Sequence, residues 1–274
     1  MSSKGTEQSK GDSPAILADY QKKDSRMKVL RQQNMGLSAA RNSGLRCARG
    51  KYIYFLDGDD YVDREMLQTT VQLAEERDLD AVVFNFVRFA DSEELLKAHP
   101  FYVNSIEGIP QVYTGIEYLK VANECGAYSV SAWKALWRHQ FLEENQLRFK
   151  ERILYEDMLF SFYAYMAAKR VMQIPNRFYH YRVRPGSITM MAISSQNVRG
   201  SFESAKGVLK YALQNCHEPA AGHEVWRAYR SFFQREVNQD MQHILSALSA
   251  YDRIPKQHLR YLQAAGAGDR MRQE

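Results

Sequence analysis

A compact group of carboxylates follows an apolar stretch of this sequence. Asp57, Asp59 and Asp60 stand beside Gly58, directly after the apolar and aromatic residues of Lys51–Asp57. Carboxylates one residue apart can hold a hard divalent cation through oxygen ligands, and glycine leaves the backbone open to close approach. Such a cation would bridge a diphosphate and neutralise the charge on a phosphate leaving group. Asp57 and Asp59 are therefore candidate ligands of a metal–diphosphate complex.

The same carboxylates allow other interpretations. Asp60 and Asp63 are expected to cap the following helix, because acids often stand before a helix. A calcium loop of the EF-hand kind is not expected, since Val62 occupies the position of its glycine and Gln68 that of its terminal glutamate. A phosphatase of the aspartyl-nucleophile type also places Asp-x-Asp after a buried strand, but it expects Gly-Thr next, where this chain has Asp60-Tyr61.

Strands and helices alternate around the carboxylates. The predicted strands are Met27–Gln32, Lys51–Asp57 and Ala81–Phe89, and the predicted helices are Ser13–Lys22, Leu37–Ala48 and Arg64–Arg77. This alternation predicts an α/β fold with a mostly parallel sheet, in which Lys51–Asp57 is a central strand. The carboxylates would then lie at the carboxyl edge of the sheet, where open α/β sheets bind their ligands.

Helices are expected to dominate from Thr114 onward. The predicted helices are Gly115–Glu124, Ser131–Gln146 and Glu156–Lys169, and Val171–Arg184 is predicted to be extended. An apolar stripe from Trp226 to Leu248, with apolar residues three or four positions apart, predicts a long helix. We therefore expect a flexible arm over residues 1–12, an α/β domain over 13–190 and a helical C-terminal region over 191–274.

Composition narrows the partners and the location. Lys plus Arg exceed Asp plus Glu by 37 to 32 without a polybasic run, so we expect no nucleic-acid partner and a weak attraction to anionic phosphates or an anionic membrane surface. Cys47, Cys125 and Cys216 have no metal-ligand spacing and are predicted to be reduced, buried thiols. No apolar segment approaches the roughly 20 residues that span a bilayer. We therefore expect a cytoplasmic protein, with peripheral contact to the inner face of the membrane as an open alternative.

Two neighbouring segments resemble the most specific block of the family 2 glycosyltransferases. Asn34–Asn42 reads NMGLSAARN and Gly50–Asp60 reads GKYIYFLDGDD. They are similar to that family's N-x-G-x-S-x-A-R-N and G-x-Y-I-x-F-L-D-x-D-D. Three later stretches resemble the family's downstream pattern in the same order: Trp133–Leu136, Tyr155–Asp157 and Tyr179–Thr189. The resemblance extends from about Ser13 to Thr189.

This resemblance implies a GT-A fold, a nucleotide-sugar donor, a divalent metal such as Mn or Mg, and single-displacement transfer with inversion at the anomeric carbon. Asp57 and Asp59 fall on the family's Asp-x-Asp motif, in which the second aspartate is the better metal ligand and the first also lies at the donor. Arg41 and Asn42 fall on positions near the donor nucleotide, where a guanidinium fork could meet the base or a phosphate. The alternative for these two residues is a structural pair on a helix surface.

Asp157 falls on the family's catalytic base. An acceptor hydroxyl must lose its proton as it attacks, and a carboxylate within hydrogen-bond reach accepts that proton; Glu156 beside it could orient the acceptor. The alternative for both acids is a capping pair for the following helix. His180 is expected to be a third metal ligand or a partly buried aromatic residue. Arg182 and Arg184 are expected in a loop over the diphosphate or in an ordinary surface turn.

The family's first nucleotide-binding segment is not recognisable in this sequence. A typical member opens with an apolar strand and continues to a second strand that ends in Asp-Asp-Gly-Ser, whereas this chain has the polar residues 7–12 before its first predicted helix. A truncated domain is therefore expected, with weak donor binding by the chain alone. Its exposed sheet edge would be covered by a second copy or by a partner chain.

The leading function is transfer of a sugar from a nucleotide-sugar to a glycan or lipid-linked acceptor, as in polysaccharide biosynthesis. The alternative is a non-catalytic binding or assembly subunit with the same scaffold. Because Asp57, Asp59 and Asp157 are all present, transfer is the favoured prediction.

Overall fold

The computed structural model describes residues 3–7, 12–98, 106, 110–128, 130–187 and 194–215. All of them belong to the first of two units into which the chain divides, Met1–Phe232 and Phe233–Glu274. The predicted helical stripe from Trp226 to Leu248 lies outside the described residues, as does the end of the family-like segment at residues 188–189. The extent of the predicted C-terminal region therefore stays a prediction.

Helices and strands alternate along the described chain, which confirms the α/β class. The helices are α1 (Ser13–Lys23), α2 (Leu37–Cys47), α3 (Met66–Glu76), α4 (Glu93–Ala98), α5 (Gly115–Glu124), α6 (His139–Glu144), α7 (Glu156–Ala167) and α8 (Ser195–Asn215). The strands are β1 (Ser3–Glu7), β2 (Lys28–Gln32), β3 (Tyr52–Tyr54), β4 (Tyr61–Val62), β5 (Ala81–Ala90), β6 (Val112–Tyr113), β7 (Ala135–Arg138) and β8 (Val171–Val183).

The larger sheet is mixed in direction. Its strand order is β3-β7-β5-β8-β4, and β6 pairs with β8 outside this path. β5 runs parallel to β8, whereas the pairs β3–β7, β5–β7, β4–β8 and β6–β8 are antiparallel. The prediction of a mostly parallel sheet with Lys51–Asp57 at its centre is therefore wrong, because β3 lies at one end of this order. The cause is β7, an antiparallel strand between β3 and β5, where strand–helix alternation alone predicts parallel neighbours.

The segment Ser131–Gln146 was predicted as helix and contains β7 and α6 instead, preceded by a 3-10 turn at Ala132–Lys134. Ala135, Leu136 and Trp137 of β7 are all buried. A strand that is buried on both faces has no alternation of apolar and polar residues. The spacing of the apolar residues in this segment therefore matched the pattern expected of a helix.

The first residues of the chain are partly ordered into a strand. Ser3–Glu7 forms β1, which pairs parallel with β2 from Ser3 opposite Lys28 to Glu7 opposite Gln32. This corrects the prediction of a flexible arm for these five residues. Pairing of this kind is made by backbone N–H and C=O groups, which every residue of β1 carries, so a polar composition does not prevent it.

Close approach between α5 and α7 fixes the position of α7. A Cβ atom added to Gly115 would lie 1.7 Å from the carbonyl oxygen of Tyr165. The Gly115 N–H donates to the carbonyl oxygen of Ala168 over 2.9 Å. Because α7 begins with Glu156 and Asp157, this contact helps to place both acids.

Among the described helices, none combines the length and the apolar character needed to cross a bilayer. Cys47 and Cys125 are partly exposed, which corrects the prediction that they are buried, and Cys216 lies outside the described residues.

Candidate active site

The predicted carboxylates lie on the turn that joins β3 to β4. The N–H of Asp60 points to the carbonyl oxygen of Asp57 across this turn, at 3.4 Å. β4 then pairs with β8, Tyr61 opposite His180. The turn therefore connects the two strands that lie at opposite ends of the strand order. The side chains of Asp57 and Asp59 are each about one-third exposed.

Arg41 of α2 connects this turn to the first turn of α7. Its Nη2 atom donates to Oδ1 of Asp57 over 2.9 Å, and its Nη1 atom donates to Oε1 of Glu156. The guanidinium carbon lies 5.2 Å from the ring centre of Phe149. Only 12% of the Arg41 side chain and 7% of the Glu156 side chain are exposed. The arginine therefore lies between two carboxylates with little access to water.

Electrostatics of this group favour a charged arginine. Burial opposes the charged form of Arg41, but the neighbouring charges of Asp57, Glu156 and Asp157 outweigh it and raise the pKa above its usual value. The sequence placed Arg41 near a donor nucleotide, and the structure shows an ion-paired guanidinium. The alternative of a helix-surface pair is not what the structure shows, because the side chain is enclosed.

Asp157 is the acid of this group with the most altered proton affinity. Burial raises its pKa to about 7, with a further rise from the charges of Glu156 and Asp57, while Arg41 and a hydrogen bond from the Met158 N–H act in the opposite direction. That hydrogen bond, from the Met158 N–H to Oδ1 of Asp157, measures 3.0 Å. A carboxylate that titrates near neutral pH can take a proton in one state and release it in another. Asp157 is therefore suited to act as a general base.

Asp59 has an arginine partner of its own. Nε of Arg184 donates to Oδ2 of Asp59 over 2.7 Å, with both side chains partly exposed. Arg184 follows the end of β8, so the predicted arginine-bearing segment does approach the carboxylates. Arg182 lies apart from this pair, because its guanidinium binds Asp91 at 2.9 Å.

The structure corrects the prediction that Asp60 and Asp63 cap a helix. Oδ2 of Asp60 accepts from the hydroxyl of Tyr179, and Oδ1 accepts from the backbone N–H of Arg182 at 2.7 Å. Burial raises the pKa of Asp60 to about 6, although both of these hydrogen bonds lower it. Oδ1 of Asp63 lies 2.8 Å from Nε2 of His180. Both acids therefore fasten the turn and β4 to β8.

His180 was predicted as a third metal ligand or as a partly buried aromatic residue, and the structure shows the second arrangement. Its ring stacks on Tyr61 with centroids 4.2 Å apart, while Nε2 faces Asp63. Within the described ranges, no three His, Cys, Asp or Glu side chains are grouped so as to hold a metal ion by themselves. A metal at this turn would therefore need ligands from a substrate as well.

Asn42, predicted beside the donor nucleotide, is engaged with the protein backbone. Its Nδ2 atom donates to the carbonyl oxygen of Phe149 and its Oδ1 atom accepts from the Phe149 N–H, both over 2.9 Å. Asn42 is buried. It therefore fastens α2 to the segment that carries Phe149, the ring under Arg41, and acts as a positioning residue.

Two contributions to the site had no signal in the sequence. Glu156 was predicted to orient an acceptor or to cap α7, whereas it holds Arg41 from a position 115 residues away. Tyr179 and the Arg182 backbone bind Asp60 across a comparable separation. Contacts over such distances depend on how the elements pack, which no local spacing of residue types reports.

The chain is similar to known proteins in sequence and in fold. Residues 7–139 match the family model described as Glycosyl transferase family 2. The chain is 37% identical over 175 residues to the uncharacterized glycosyltransferase EpsJ of Bacillus subtilis (strain 168), which covers 64% of this chain and 50% of EpsJ. The chain spans about half the length of the curated relatives it matches.

Solved structures show the same fold. TarS 1–349 of S. aureus in complex with UDP-GlcNAc is similar with a TM-score of 0.67 at 19% identity, over 86% of this chain and 65% of that one. The mannosyltransferase PcManGT of Pyrobaculum calidifontis, in complex with GDP-Man and Mn2+, is similar with a TM-score of 0.52 at 14% identity, over 97% of this chain and 70% of that one.

Proposed function

We propose that this chain, whose residues 7–139 match the family model described as Glycosyl transferase family 2, transfers a sugar from a nucleotide-sugar donor to a hydroxyl group of a glycan or lipid-linked acceptor. The observation that carries the proposal is Arg41, which joins the aspartate turn at Asp57 to the acids that begin α7. One side of this arrangement suits a leaving diphosphate and the other suits an attacking hydroxyl. The reaction would be a single displacement with inversion at the anomeric carbon.

Asp157 is the base in this proposal. It would accept the proton of the acceptor hydroxyl as the oxygen attacks the anomeric carbon, while the nucleoside diphosphate departs with the electrons of the broken bond. Its raised pKa comes first from burial and then from Glu156. Arg41 is the nearby cation that favours the ionised form, so Arg41 keeps the base available close to neutral pH.

The residues at the aspartate turn fit a hard divalent cation, Mn or Mg, that is bound together with the donor. Arg41 donates a hydrogen bond to Oδ1 of Asp57, and Arg184 donates one to Oδ2 of Asp59. Mg2+ in nucleotide enzymes is usually held by one or two carboxylates plus substrate phosphates, and Asp57 and Asp59 would supply the carboxylates here. When bound, such a cation neutralises charge that develops on the departing diphosphate.

Arg184 has a second task in this proposal. Its guanidinium is partly exposed and lies at Asp59, where a diphosphate bound at the turn would pass. A guanidinium fork matches phosphate oxygens well. Arg184 would therefore exchange its carboxylate partner for the donor phosphates, which frees Asp59 for the cation.

Known complexes support the donor class. The TarS structure holds UDP-GlcNAc, and the PcManGT structure holds GDP-Man with Mn2+. The sugar, the base and the acceptor of this chain do not follow from these likenesses, because a shared fold hosts many substrates. The net charge of +5 supports weak attraction to an anionic membrane, where a lipid-linked acceptor would be met at the cytoplasmic face. A second copy or a partner chain along the edge strand β3 is part of the same proposal.

The test is nucleoside diphosphate release from UDP-GlcNAc and GDP-mannose in the presence of Mn2+, for the parent chain, Asp157→Asn and Asp59→Asn. The matched control is Asp78→Asn, an exposed aspartate paired with Arg138 away from the turn. We expect both site variants to lower release and the control to retain it. Calorimetry with Mn2+ and UDP should show weaker binding for Asp59→Asn and unchanged binding for Asp157→Asn. Equal release by all four proteins, or UDP binding that ignores Mn2+ and Asp59, would reject the proposal.

A further inference from the structure

The residue two positions before the proposed base has an unusual backbone. Tyr155 has φ 61° and ψ 36°, the left-handed conformation, although it is not glycine. This conformation is disfavoured for a bulky side chain and persists where the surroundings hold it. Because α7 starts at the next residue, the torsion angles of Tyr155 set the direction in which Glu156 and Asp157 leave the chain.

The surroundings of Tyr155 are supplied by α8. Nδ2 of Asn197 donates to the Tyr155 hydroxyl over 2.9 Å, and Oγ of Ser204 donates to the Tyr155 carbonyl oxygen at 3.5 Å. Asn197 and Ser204 are both buried. Oδ1 of Asn197 accepts from the N–H and from the hydroxyl of Ser194, at 2.9 and 2.6 Å. The amide that holds Tyr155 is therefore itself fixed in orientation.

Two glycines let the α8 backbone come close to this segment. A Cβ atom on Gly200 would lie 2.2 Å from the carbonyl oxygen of Leu154. A Cβ atom on Gly207 would lie 2.6 Å from a methyl carbon of Leu159, and the Gly207 carbonyl accepts from the Tyr163 hydroxyl at 3.2 Å. α8 thus lies directly against the chain on both sides of the proposed base.

We propose that Asn197 of α8 is a positioning residue for the transfer reaction, because it holds Tyr155 in the left-handed conformation that aims Asp157 and Glu156. This inference rests on the function proposed above for Asp157. Asn197 touches no reacting atom in this scheme. It acts through Tyr155, so its loss should misplace the base and leave the donor-binding turn at Asp59 intact.

The test uses the full chain and the variants Asn197→Leu, Asn197→Asp and Tyr155→Phe. We expect Asn197→Leu and Tyr155→Phe to slow diphosphate release from UDP-GlcNAc with Mn2+ by about ten- to a hundredfold, since small displacements of a catalytic group have effects of this size. Binding of UDP with Mn2+ should stay unchanged. Asn197→Asp should retain most of the rate, because a carboxylate can accept a hydrogen bond from the Tyr155 hydroxyl and from Ser194.

A second measurement does not depend on turnover. Hydrogen–deuterium exchange over residues 155–162 should become faster in Asn197→Leu and Tyr155→Phe, while exchange over β5 stays unchanged. Lys210→Met, at an exposed position of the same helix, is the matched control and should change neither exchange nor release.

The outcomes separate this inference from the proposed function. If Asp157→Asn releases diphosphate as fast as the parent, the proposed function fails. If Asp157→Asn is slow while Asn197→Leu and Tyr155→Phe match the parent in release and exchange, the positioning role alone fails. Should Asn197→Leu not fold, Tyr155→Phe decides, because it removes a single hydroxyl. Should the parent release too little to measure, unchanged exchange over residues 155–162 overturns the inference.

Discussion

Arg41 carries the charge balance of the candidate site. It is the cation shared by Asp57 and Glu156, and its side chain is nearly as enclosed as that of Glu156. Loss of one partner from a buried ion pair leaves a charge without compensation, which costs more than the pair itself contributes. A substitution of Arg41 would also remove the cation that lowers the pKa of Asp157.

We predict that Arg41→Met lowers the free energy of unfolding by about 3–5 kcal/mol, because Glu156 is left buried without a cation. Urea denaturation followed by circular dichroism measures this loss. The control is Arg26→Met, which breaks a pair with Asp24 on the surface and should leave the free energy of unfolding almost unchanged. Equal effects of the two substitutions would contradict the role of Arg41 in the buried network.

Asp157→Asn should stabilise the protein at alkaline pH while it lowers turnover. The folded protein raises the pKa of Asp157 to about 7, so it holds this proton more tightly than the unfolded chain. Stability from this group is therefore present at acidic pH and is lost as the pH rises through about 7. Thermal melting should show a higher Tm for Asp157→Asn at pH 8 and little difference at pH 4.5.

Loss of a general base lowers rates by roughly 10²–10⁴-fold, so diphosphate release by Asp157→Asn should fall into that range. A variant that loses turnover and also loses stability at pH 8 would indicate misfolding and would contradict the assigned pKa.

The residues of the candidate site could be predicted where their chemistry requires a fixed spacing along the sequence. The pair Asp57 and Asp59 follows from two carboxylates around a glycine, and Asp157 from its resemblance to a family base. Their partners were not predictable, because Arg41 reaches Glu156 and Arg184 reaches Asp59 over 115 and 125 residues of sequence. Such pairs depend on the packing of α2, α7 and the end of β8, which a single sequence does not specify.

Packing of the elements around α7 depends on how closely backbones approach. Gly115 at the start of α5 leaves no room for a side chain against α7. Thr114 caps the same helix: its hydroxyl accepts from the Glu117 N–H at 3.3 Å, and the Glu117 carboxylate accepts from the Thr114 N–H at 2.8 Å. The helix therefore starts at a defined residue, which is why its predicted bounds were met.

Gly115→Ala should destabilise the fold, because the new methyl group overlaps the Tyr165 backbone. Overpacking of this kind typically costs about 1–3 kcal/mol and occasionally more. Gly58→Ala is the matched control, since a Cβ atom there meets nothing within 4 Å and φ is not in the left-handed region. Chemical denaturation should show a large loss for Gly115→Ala and a small change for Gly58→Ala. A neutral Gly115→Ala would mean that α5 and α7 lie farther apart than described.

Element types were predictable where one face of an element meets water. The amphipathic helices α2 and α3 were located within a few residues. β7 was not, because its residues Ala135–Trp137 are buried on both faces. Because β7 pairs antiparallel with both β3 and β5, missing this one short strand also made the predicted sheet topology wrong.

Three titratable groups that are buried or partly buried make the stability of the domain depend on pH. Burial raises the pKa values of Asp60 to about 6 and of Asp157 to about 7, and it lowers the pKa of Lys134 to about 7. The two aspartates make stability fall as the pH rises towards 7, since the folded state holds their protons more tightly. Lys134 makes stability rise above pH 7, since the unfolded chain then binds the extra proton.

These groups together predict a shallow minimum of stability near pH 7. Lys134→Met, which keeps a similar volume without the charge, should flatten the alkaline branch and raise the Tm at pH 7. Melting temperatures from pH 5 to 9 measure the profile for both proteins. Asp60→Asn provides the complementary control on the acidic branch. A profile that is identical in the parent and in Lys134→Met would show that the lysine is not buried as described.

The contact between Asn197 and Tyr155 can form only after Asn197 has been synthesised. The two residues are 42 positions apart, and a chain is made from its N-terminus at roughly 5–20 residues per second. Tyr155 is therefore in the chain about 2–8 seconds before Asn197 is added, by the same rate. During that interval Tyr155 lacks the hydrogen bond from Asn197, so the left-handed conformation that precedes Asp157 has one contact fewer to hold it. On the ribosome, the domain would become competent for transfer only when α8 arrives.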